Sequence, residues 1–237
     1  MTAPFRVFIG WDSREPIAYD IARHSILKRA SIPVEVVPIK AEDLRARGLY
    51  TRAKDPLAST EFTYTRFLTP ALAGFSGWAL FCDCDFLFLG DIAGLVAYTQ
   101  TPKAVYCVQH DYVPKETTKM DGAVQTSYPR KNWSSLMLFN CEHPSVRWLT
   151  PDVVNRESGA YLHRMQWADD ADIGALPTEW NWLEGWNEKP AQGTPKAVHF
   201  TRGGPWFENW QNVEYGDLWR AERDEIVTGQ PRAAAPA

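Results

Sequence analysis

The sequence predicts an α/β domain with a mixed, mostly parallel sheet flanked by helices. Short apolar runs rich in β-branched and aromatic residues recur along the chain, and polar or helical segments separate them. With 237 residues, 45% of them hydrophobic and 23% charged, the chain can bury one large core. We therefore expect a single domain over residues 1–226 and a disordered tail over residues 227–237, which include GQPRAAAPA.

The first strand and the first helix are indicated by the N-terminal residues. The run RVFIG, residues 6–10, is apolar and ends in the glycine that a tight turn favours. Ser13 is the expected helix cap, and Pro16 suits the first helical turn, where its missing N–H has no helical partner. Helical spacing of apolar residues then continues to about Ala30.

Later segments continue the alternation of strands and helices. A β-branched run over residues 34–40 contains Pro38, which indicates an edge strand or a bend. Residues 59–72 carry apolar side chains at helical spacing, so we expect one helix there. The remaining runs of strand character are WALFCDCDFLFL (78–89), AVYCVQH (104–110), LMLFNC (136–141) and AVHF (197–200).

Charge and hydropathy exclude several functional classes. The formal net charge is -4, so no basic surface is expected to bind nucleic acid. No apolar run reaches the length of a membrane span, and Asp12 interrupts the N-terminal segment before it could form a signal-peptide core. We expect a cytoplasmic protein, for which the basic segment RARGLYTRAK (45–54) leaves open a peripheral contact at the inner face of the membrane.

The run FCDCDFLFLGD, residues 81–91, raises the question of whether its aspartates or its cysteines carry chemistry. Side chains alternate across a strand, so Asp83 and Asp85 share one face while Cys82 and Cys84 share the other. Two carboxylates about 6–7 Å apart at the backbone need a compensating cation in a dry site, and a divalent metal with oxygen ligands supplies it. The cysteines lack the spacing of a zinc site and are expected to be packing residues. The alternative is that both carboxylates cap a turn at the end of the strand.

Five segments in order resemble the glycosyltransferases of family 8 and their close relatives, which have the GT-A fold. They are YTRFLTPALAG (64–74), DCD (83–85), NWSSLMLFNC (132–141), WADDADIGALPTEWNW (167–182) and AVHFTRGGPW (197–206). The resemblance implies a GT-A domain and an enzyme that transfers a sugar from a nucleotide diphosphate donor, with UDP the expected nucleotide and with retention at the anomeric carbon. The acceptor would be a hydroxyl of a glycan or glycolipid, as in the synthesis of bacterial surface glycans.

The resemblance also implies a site for a metal and a diphosphate. Asp83, Asp85 and His199 would bind Mn²⁺ or Mg²⁺, and the metal would bind both phosphates of the donor. Arg66 would reach the phosphates or the sugar, although an ion pair within the protein is an equal alternative for this side chain. The turn after the first strand would receive the base and ribose. The residues implied to contact the donor are Gly10, Trp11, Asp12, Tyr19, Arg66, Asp83, Cys84, Arg202, Gly203 and Trp206, with Trp11 or Tyr19 as the stacking face.

Three positions depart from the family pattern. Trp133 stands where the family has an asparagine, and Ser135 stands where it has a glycine. Gly204 stands where the family has a lysine that binds phosphate. Arg202 is the candidate to replace that lysine, because it lies in the same segment and carries the same charge.

The resemblance places the reaction centre in the fourth segment. The Asp-Gln-Asp of many family members corresponds here to Asp-Asp-Ala-Asp over residues 169–172, so Asp170, and after it Asp169, is the expected residue. We assign no general base, because in the mechanism usually proposed for this family the departing diphosphate helps to deprotonate the acceptor hydroxyl. Residues 109–111, Gln-His-Asp, follow a strand and are placed to meet sugar hydroxyls.

Two other functions remain open at this point. A haloacid-dehalogenase-type phosphatase also uses an apolar strand that ends in Asp-x-Asp. That family expects a small residue and then Thr or Val after the motif, near the N-terminus, whereas Phe86 and Leu87 follow the motif here at mid-chain. The second alternative is a GT-A domain that binds a nucleotide-sugar or glycan without turning it over, and the altered central and closing segments are compatible with it.

Overall fold

The computed structural model of the chain describes residues 3–56, 58–111 and 129–229. Its strands, in chain order, are β1 (Phe5–Gly10), β2 (Val34–Ile39), β3 (Trp78–Cys82), β4 (Phe86–Phe88), β5 (Val105–Cys107), β6 (Leu136–Asn140), β7 (Ile173–Ala175), β8 (Trp182–Leu183) and β9 (Ala197–His199).

Two sheets organise these strands. The larger sheet has the order β2-β1-β3-β6-β5-β7, and the smaller one has the order β4-β9-β8. In the larger sheet β1 is parallel to β2 and β3, and β5 is parallel to β7, whereas β6 is antiparallel to both of its neighbours. In the smaller sheet β9 is antiparallel to β4 and parallel to β8. The expectation of a mixed, mostly parallel sheet flanked by helices is confirmed.

Seven α-helices and several 3₁₀ helices occur within the described residues. The α-helices are α1 (Pro16–Arg29), α2 (Ala41–Ala46), α3 (Thr69–Leu72), α4 (Pro144–Arg147), α5 (Pro151–Arg156), α6 (Gly159–His163) and α7 (Gly216–Thr228). The 3₁₀ helices are Thr65–Leu68, Ile92–Gln100, Trp133–Ser135, Asp170–Asp172, Thr178–Trp180 and Glu208–Trp210. No helix among the described residues is both long enough and apolar enough to cross a membrane.

The first helix begins and ends where the sequence indicates, but its cap differs. Pro16 opens the helix and Arg29 closes it, next to the predicted end. Ser13 is not the cap: Glu15 occupies that position without a capping hydrogen bond, and the Ser13 hydroxyl donates to the carboxylate of Glu61 instead. A serine two residues before the cap position can serve another loop, so the residue type alone did not fix its partner.

The single helix predicted over residues 59–72 is instead a series of turns followed by the 3₁₀ helix Thr65–Leu68 and α3. Pro70 explains the difference, because it has no N–H to donate to the carbonyl of Arg66 in a continuous α-helix. The hydroxyl of Thr69 donates to that carbonyl over 2.8 Å. Proline therefore restricts regular α-helix to its C-terminal side.

The run over residues 78–89 forms two strands in different sheets rather than one strand. β3 ends at Cys82, β4 begins at Phe86, and the chain crosses from one sheet to the other between them. The strands on both sides are buried, whereas Asp83 and Asp85 are each only partly buried. Burying two charged carboxylates inside a strand of the core would be costly, so the strand is interrupted where Asp83 and Asp85 occur.

The edges of the domain agree in part with expectation. β2, which contains Pro38, is an edge strand that pairs only with β1 within the larger sheet. α7 continues to Thr228, two residues into the segment expected to be a disordered tail, and Gly229 caps it. The rest of that tail, residues 230–237, lies outside the described residues.

Candidate functional site

The turn formed by Asp83, Cys84 and Asp85 is tied to both sheets through its backbone. The amide of Asp83 donates to the carbonyl of Ser135, just before β6, over 2.9 Å. The carbonyl of Asp85 accepts from the amide of Phe200, just after β9, over 3.0 Å. The Cys84 side chain is buried in the core, whereas the side chains of Asp83 and Asp85 on either side of it are 13% and 19% accessible.

The cysteines of this run are packing residues. Cys82 and Cys84 are fully buried and form no disulfide. Burial raises the pKa of both thiols well above the usual value, and the charges of Asp83 and Asp85 raise it further. The thiols therefore stay protonated at neutral pH. Because the thiolate is the form that binds metals, these cysteines are not suited to be ligands.

His199 joins the two aspartates. It lies on β9 directly opposite Phe86 of β4, and its ring stacks on that phenyl ring with 4.4 Å between centroids. Ligand atoms of Asp83, Asp85 and His199 all lie within 4.8 Å of one another. The structure thus brings together the three residues implied as metal ligands, and Asp83, Asp85 and His199 form a candidate metal-ligand group.

The donor atoms of this group fit Mn²⁺ or Mg²⁺. Two carboxylates and one imidazole are ligand types that Mn²⁺ accepts, and three protein ligands leave coordination positions for phosphate oxygens and water. Nε2 of His199 lies 3.3 Å from Oδ1 of Asp85. A cation between these atoms would be contacted by both, so the arrangement suits a bound metal.

Arg66 is the basic partner of this group. It lies in the 3₁₀ helix Thr65–Leu68 and is buried between the rings of Phe62 and Phe81. One guanidinium nitrogen donates to Oδ1 of Asp83 over 2.8 Å and to the carbonyl of Ser134 over 2.9 Å. Arg66 therefore forms the internal ion pair that the sequence left open, and it also lines the cavity described next.

A cavity of about 420 Å³ opens beside the carboxylates, within the size range of small-molecule sites. Its wall contains Asp83, Asp85 and His199 together with many hydroxyl groups. The basic residues Lys131 and Arg164 also line it, and Lys131 is largely buried. The hydroxyl-bearing residues are Ser59, Thr60, Thr63, Tyr64, Ser134, Ser135 and Thr201.

His163, on α6, is a cavity residue that the sequence reasoning missed. Burial, followed by the positive charge of Arg66, lowers its pKa to about 3, so the imidazole is neutral at physiological pH. Its Nδ1 is 2.8 Å from the hydroxyl of Ser134, and its ring lies edge-on to Phe67. No motif surrounds His163, so no signal in the sequence could have found it.

Asn181 is the second residue whose role was missed, although it falls in the segment LPTEWNW. Its side chain is fully buried beside His199. Oδ1 of Asn181 is 3.0 Å from Nδ1 of His199, and Nδ2 donates to the hydroxyl of Ser135 over 2.9 Å. Asn181 thereby links the metal-ligand group to the start of β6.

The turn after β1 is braced by internal contacts. A Cβ at Gly10 would lie 2.4 Å from the ring of Phe62, so only glycine fits there. Asp12 is fully buried and accepts hydrogen bonds from Arg14 and from the amide of Glu61. Burial raises the pKa of Asp12, but these hydrogen bonds and the charge of Arg14 outweigh it and lower the pKa overall. The carboxylate therefore serves first to hold the turn.

The two aromatic residues expected at this turn differ in exposure. Tyr19 belongs to the hydrophobic core, and burial raises the pKa of its hydroxyl, so it offers no face for a base to stack on. Trp11 is half-buried, and the ammonium of Lys40 lies 4.7 Å from its ring centroid. Of the two rings, only Trp11 can present a face outside the core.

Beyond Thr201, the closing segment packs against the domain rather than lining the cavity. Arg202 pairs with the buried carboxylate of Glu184 over 2.9 Å, and its guanidinium lies 5.3 Å from the ring centroid of Trp210. The indole N–H of Trp206 donates to Glu15 over 3.1 Å, and a Cβ at Gly204 would collide with the Trp206 ring. Arg202, Gly203 and Trp206, expected at the donor, are absent from the residues that line the cavity.

Asp169 and Asp170 are not among the residues that line the cavity. Both are exposed, and the side chain of Asp170 is 82% accessible. Asp170 pairs with Arg130, and neither aspartate belongs to the cavity lining. The structure therefore does not bring these two candidates to the cavity.

Comparison with known proteins gives a relative in sequence and several relatives in fold. No family model matches the chain. Protein CDI of Arabidopsis thaliana is 57% identical over 225 residues, which cover 94% of this chain and 87% of that protein. The structure of the bifunctional glycosyltransferase WbbM superposes with a TM-score of 0.61 at 16% identity, and the match covers 97% of this chain but only 52% of WbbM.

Two further glycosyltransferase structures match over nearly the whole chain. The galactosyltransferase LgtC, solved in complex with donor and acceptor sugar analogs, has a TM-score of 0.60 at 12% identity, covering 93% of this chain and 96% of LgtC. The glycosyltransferase GlyE of Streptococcus pneumoniae has a TM-score of 0.60 at 13% identity, covering 99% of this chain and 67% of GlyE. The domain therefore has the GT-A fold, as the resemblance implied, and by sequence the chain belongs to the family of Protein CDI.

Proposed function

We propose that the chain is a metal-dependent glycosyltransferase of the family 8 type. It would transfer a sugar from a nucleotide diphosphate donor, with UDP as the expected nucleotide, to a hydroxyl of a glycan or glycolipid, with retention at the anomeric carbon. One observation carries the proposal: in a GT-A domain, Asp83, Asp85 and His199 place ligand atoms within 4.8 Å of one another at the wall of a polar cavity.

The residues of the metal-ligand group have complementary roles in this proposal. Asp83, Asp85 and His199 would hold Mn²⁺ or Mg²⁺, which when bound neutralises the charge that develops on the departing diphosphate. Arg66 fixes the direction of the Asp83 carboxylate through the 2.8 Å hydrogen bond between them. Such orientation reduces the reorganisation that substrate binding would otherwise require.

The cavity wall supplies groups for the sugar and for the phosphates. Hydroxyls such as those of Ser134 and Thr201 can both donate to and accept from sugar hydroxyls. Because Arg202 is paired with Glu184, we assign the positive charge that balances the phosphates to Lys131 and Arg164 of the wall. We assign no step to Asp169 or Asp170, since neither lines the cavity.

The non-catalytic alternative has specific observations in its favour. The closing segment places Arg202 against Glu184, and Gly204 has no room for a side chain. Neither feature prevents a nucleotide-sugar from binding. Both features leave the closing segment without a free basic side chain at the position of the family's phosphate-binding lysine. The phosphatase alternative does not match the GT-A fold of the domain.

Calorimetric titration with UDP tests the proposal. The wild-type protein is titrated in Mn²⁺ and in EDTA, and Asp85→Ala is compared with Asp170→Asn, which changes an exposed carboxylate outside the cavity. We expect binding that requires Mn²⁺, is lost in Asp85→Ala and is unchanged in Asp170→Asn. Undetectable UDP binding in every condition would overturn the UDP-sugar proposal.

A second measurement separates an enzyme from a binding module. The wild-type protein is incubated with UDP-sugars and Mn²⁺, and release of UDP is followed with and without glycan acceptors. Slow UDP release that Asp85→Ala abolishes supports catalysis. Tight binding of UDP without release from any UDP-sugar would favour the non-catalytic module.

A further inference from the structure

Asn181 joins His199 to the segment before β6 through one buried amide. Its Oδ1 is 3.0 Å from Nδ1 of His199, and its Nδ2 is 2.9 Å from the hydroxyl oxygen of Ser135. The same Nδ2 lies 3.4 Å from the carbonyl oxygen of Asn132. The imidazole of His110 also forms a hydrogen bond with the Asn181 side chain. Both ends of the amide are therefore engaged in a region without solvent.

The positions of the protons in this network follow from counting donors and acceptors. The Ser135 hydroxyl donates its only proton to the carbonyl of Asn132 over 2.7 Å, so its oxygen must accept from Asn181. The NH₂ group of Asn181 thus faces Ser135, and its carbonyl oxygen faces His199. That oxygen can only accept, so Nδ1 of His199 must carry a proton.

The other imidazole nitrogen is then available as a ligand. A neutral imidazole with its proton on Nδ1 has a lone pair on Nε2, and Nε2 of His199 is 3.3 Å from Oδ1 of Asp85. Two acceptors that face each other across this distance repel unless a cation lies between them. The tautomer set by Asn181 therefore matches the needs of a metal at this position.

We propose that Asn181 is a positioning residue that holds His199 as the Nδ1–H tautomer and so directs Nε2 to the metal. This inference rests on the proposed metal site and adds to it a determinant that does not touch the metal. Without the Asn181 acceptor, His199 could move its proton to Nε2 and donate directly to Asp85. That hydrogen bond would occupy two of the three ligands and compete with metal binding.

Nuclear magnetic resonance tests the tautomer directly. Long-range proton–nitrogen correlations of the imidazole rings, recorded on the metal-free protein at pH 8, distinguish Nδ1–H from Nε2–H, and His199→Gln assigns the His199 signals. We expect Nδ1–H in the wild type and a shift toward Nε2–H in Asn181→Ala. An Nε2–H or doubly protonated His199 in the wild type, or an unchanged tautomer in Asn181→Ala, would overturn the proposal.

Metal binding by two variants distinguishes positioning from packing. Titration with Mn²⁺ alone, followed by the electron paramagnetic resonance of free Mn²⁺, should show affinity falling about 10- to 100-fold in Asn181→Ala. Asn181→Asp restores an acceptor for Nδ1–H and should keep the affinity within a few-fold of wild type. If Asn181 serves only as a packing residue, Asn181→Asp should lower the Mn²⁺ affinity at least as much as Asn181→Ala does. The aspartate would bury a charge and would lose the hydrogen bond that the amide donates to Ser135.

A matched control and a separate readout keep the two proposals distinguishable. Asn155→Ala removes another two-ended amide, which bridges the amide of Thr51 and the carbonyl of Leu49 and does not line the cavity. It should leave the Mn²⁺ affinity and the His199 tautomer unchanged. If the wild type binds neither Mn²⁺ nor UDP, the proposed function fails, and the tautomer measurement still decides the role of Asn181.

Discussion

A guanidinium nitrogen of Arg66 lies 2.8 Å from Oδ1 of Asp83, and only 6% of the arginine side chain and 13% of the aspartate side chain are accessible. This ion pair connects the 3₁₀ helix Thr65–Leu68 to the turn after β3. Breaking a buried pair on one side leaves the other charge uncompensated, which is more costly than losing an exposed pair.

Arg66→Ala should therefore lower the stability of the protein. We expect the free energy of unfolding to fall by about 3–5 kcal/mol, measured by urea denaturation. Arg66→Lys keeps the positive charge beside Asp83, so its loss of stability should be smaller than that of Arg66→Ala. Equal stability of Arg66→Ala and wild type would show that the pair contributes nothing.

The second prediction separates Arg202 from Lys131. Arg202→Ala leaves the buried carboxylate of Glu184 without its guanidinium partner, so unfolding should become easier by about 3 kcal/mol. Mn²⁺-dependent UDP affinity should change less than about threefold in Arg202→Ala, yet fall about tenfold in Lys131→Met, which loses one charge contact to phosphate. If calorimetry showed a larger loss of UDP affinity in Arg202→Ala than in Lys131→Met, Arg202 rather than Lys131 would be the residue that binds phosphate.

The third prediction concerns the carboxyl of Glu15. Burial, followed by the charges of Asp85 and Asp12, raises its pKa to about 8, although the indole N–H of Trp206 lowers it. Because this value lies above the ordinary 4.5, the stabilising contribution of Glu15 is complete below pH 4.5 and is lost as the pH rises through about 8.

Glu15→Gln should therefore become more stable than wild type as the pH rises. The neutral amide can still accept from Trp206 through its carbonyl oxygen and carries no charge to bury. Urea unfolding in EDTA at pH 5 and pH 9 measures the difference between the two proteins, and we expect it to be larger at pH 9. A difference that is constant across this range would contradict the assignment.

The fourth prediction tests the close approach at Gly10. Because a Cβ there would lie 2.4 Å from the ring of Phe62, Gly10→Ala should destabilise the fold by about 1–3 kcal/mol through overpacking. Adding Phe62→Leu, which removes the ring, should make the Gly10→Ala change less costly than it is alone. Additive effects of the two substitutions in thermal unfolding would show that the contact is not the cause.

The sequence indicated which three residues lie together at the candidate metal site better than it predicted the local secondary structure around them. Asp83, Asp85 and His199 could be found because each lies in a segment with a recognisable pattern. The break between β3 and β4 could not be found in that way, since WALFCDCDFLFL reads as one apolar run. The sheets that β3 and β4 join depend on pairing with residues distant in sequence, such as the pairing of Phe86 with His199.

For three other residues that were expected at the donor, the sequence did not reveal their contacts within the protein. Arg202 and Trp206 were expected at the donor, and in the structure they donate hydrogen bonds to Glu184 and Glu15. Those two glutamates are far from their partners along the chain or carry no motif, so these hydrogen bonds are invisible in the sequence. Burial of Tyr19 likewise follows from the packing of α1, which a residue type alone does not reveal.

The turn that crosses between the sheets also determines when the metal-ligand group can exist. Asp83 and Asp85 lie in the first half of the chain, whereas His199 enters only with β9, whose pairing with β4 closes the smaller sheet. Closing such a long loop is slow compared with forming local contacts. His199 therefore reaches Asp83 and Asp85 late in folding, after the contacts that are local in sequence have formed.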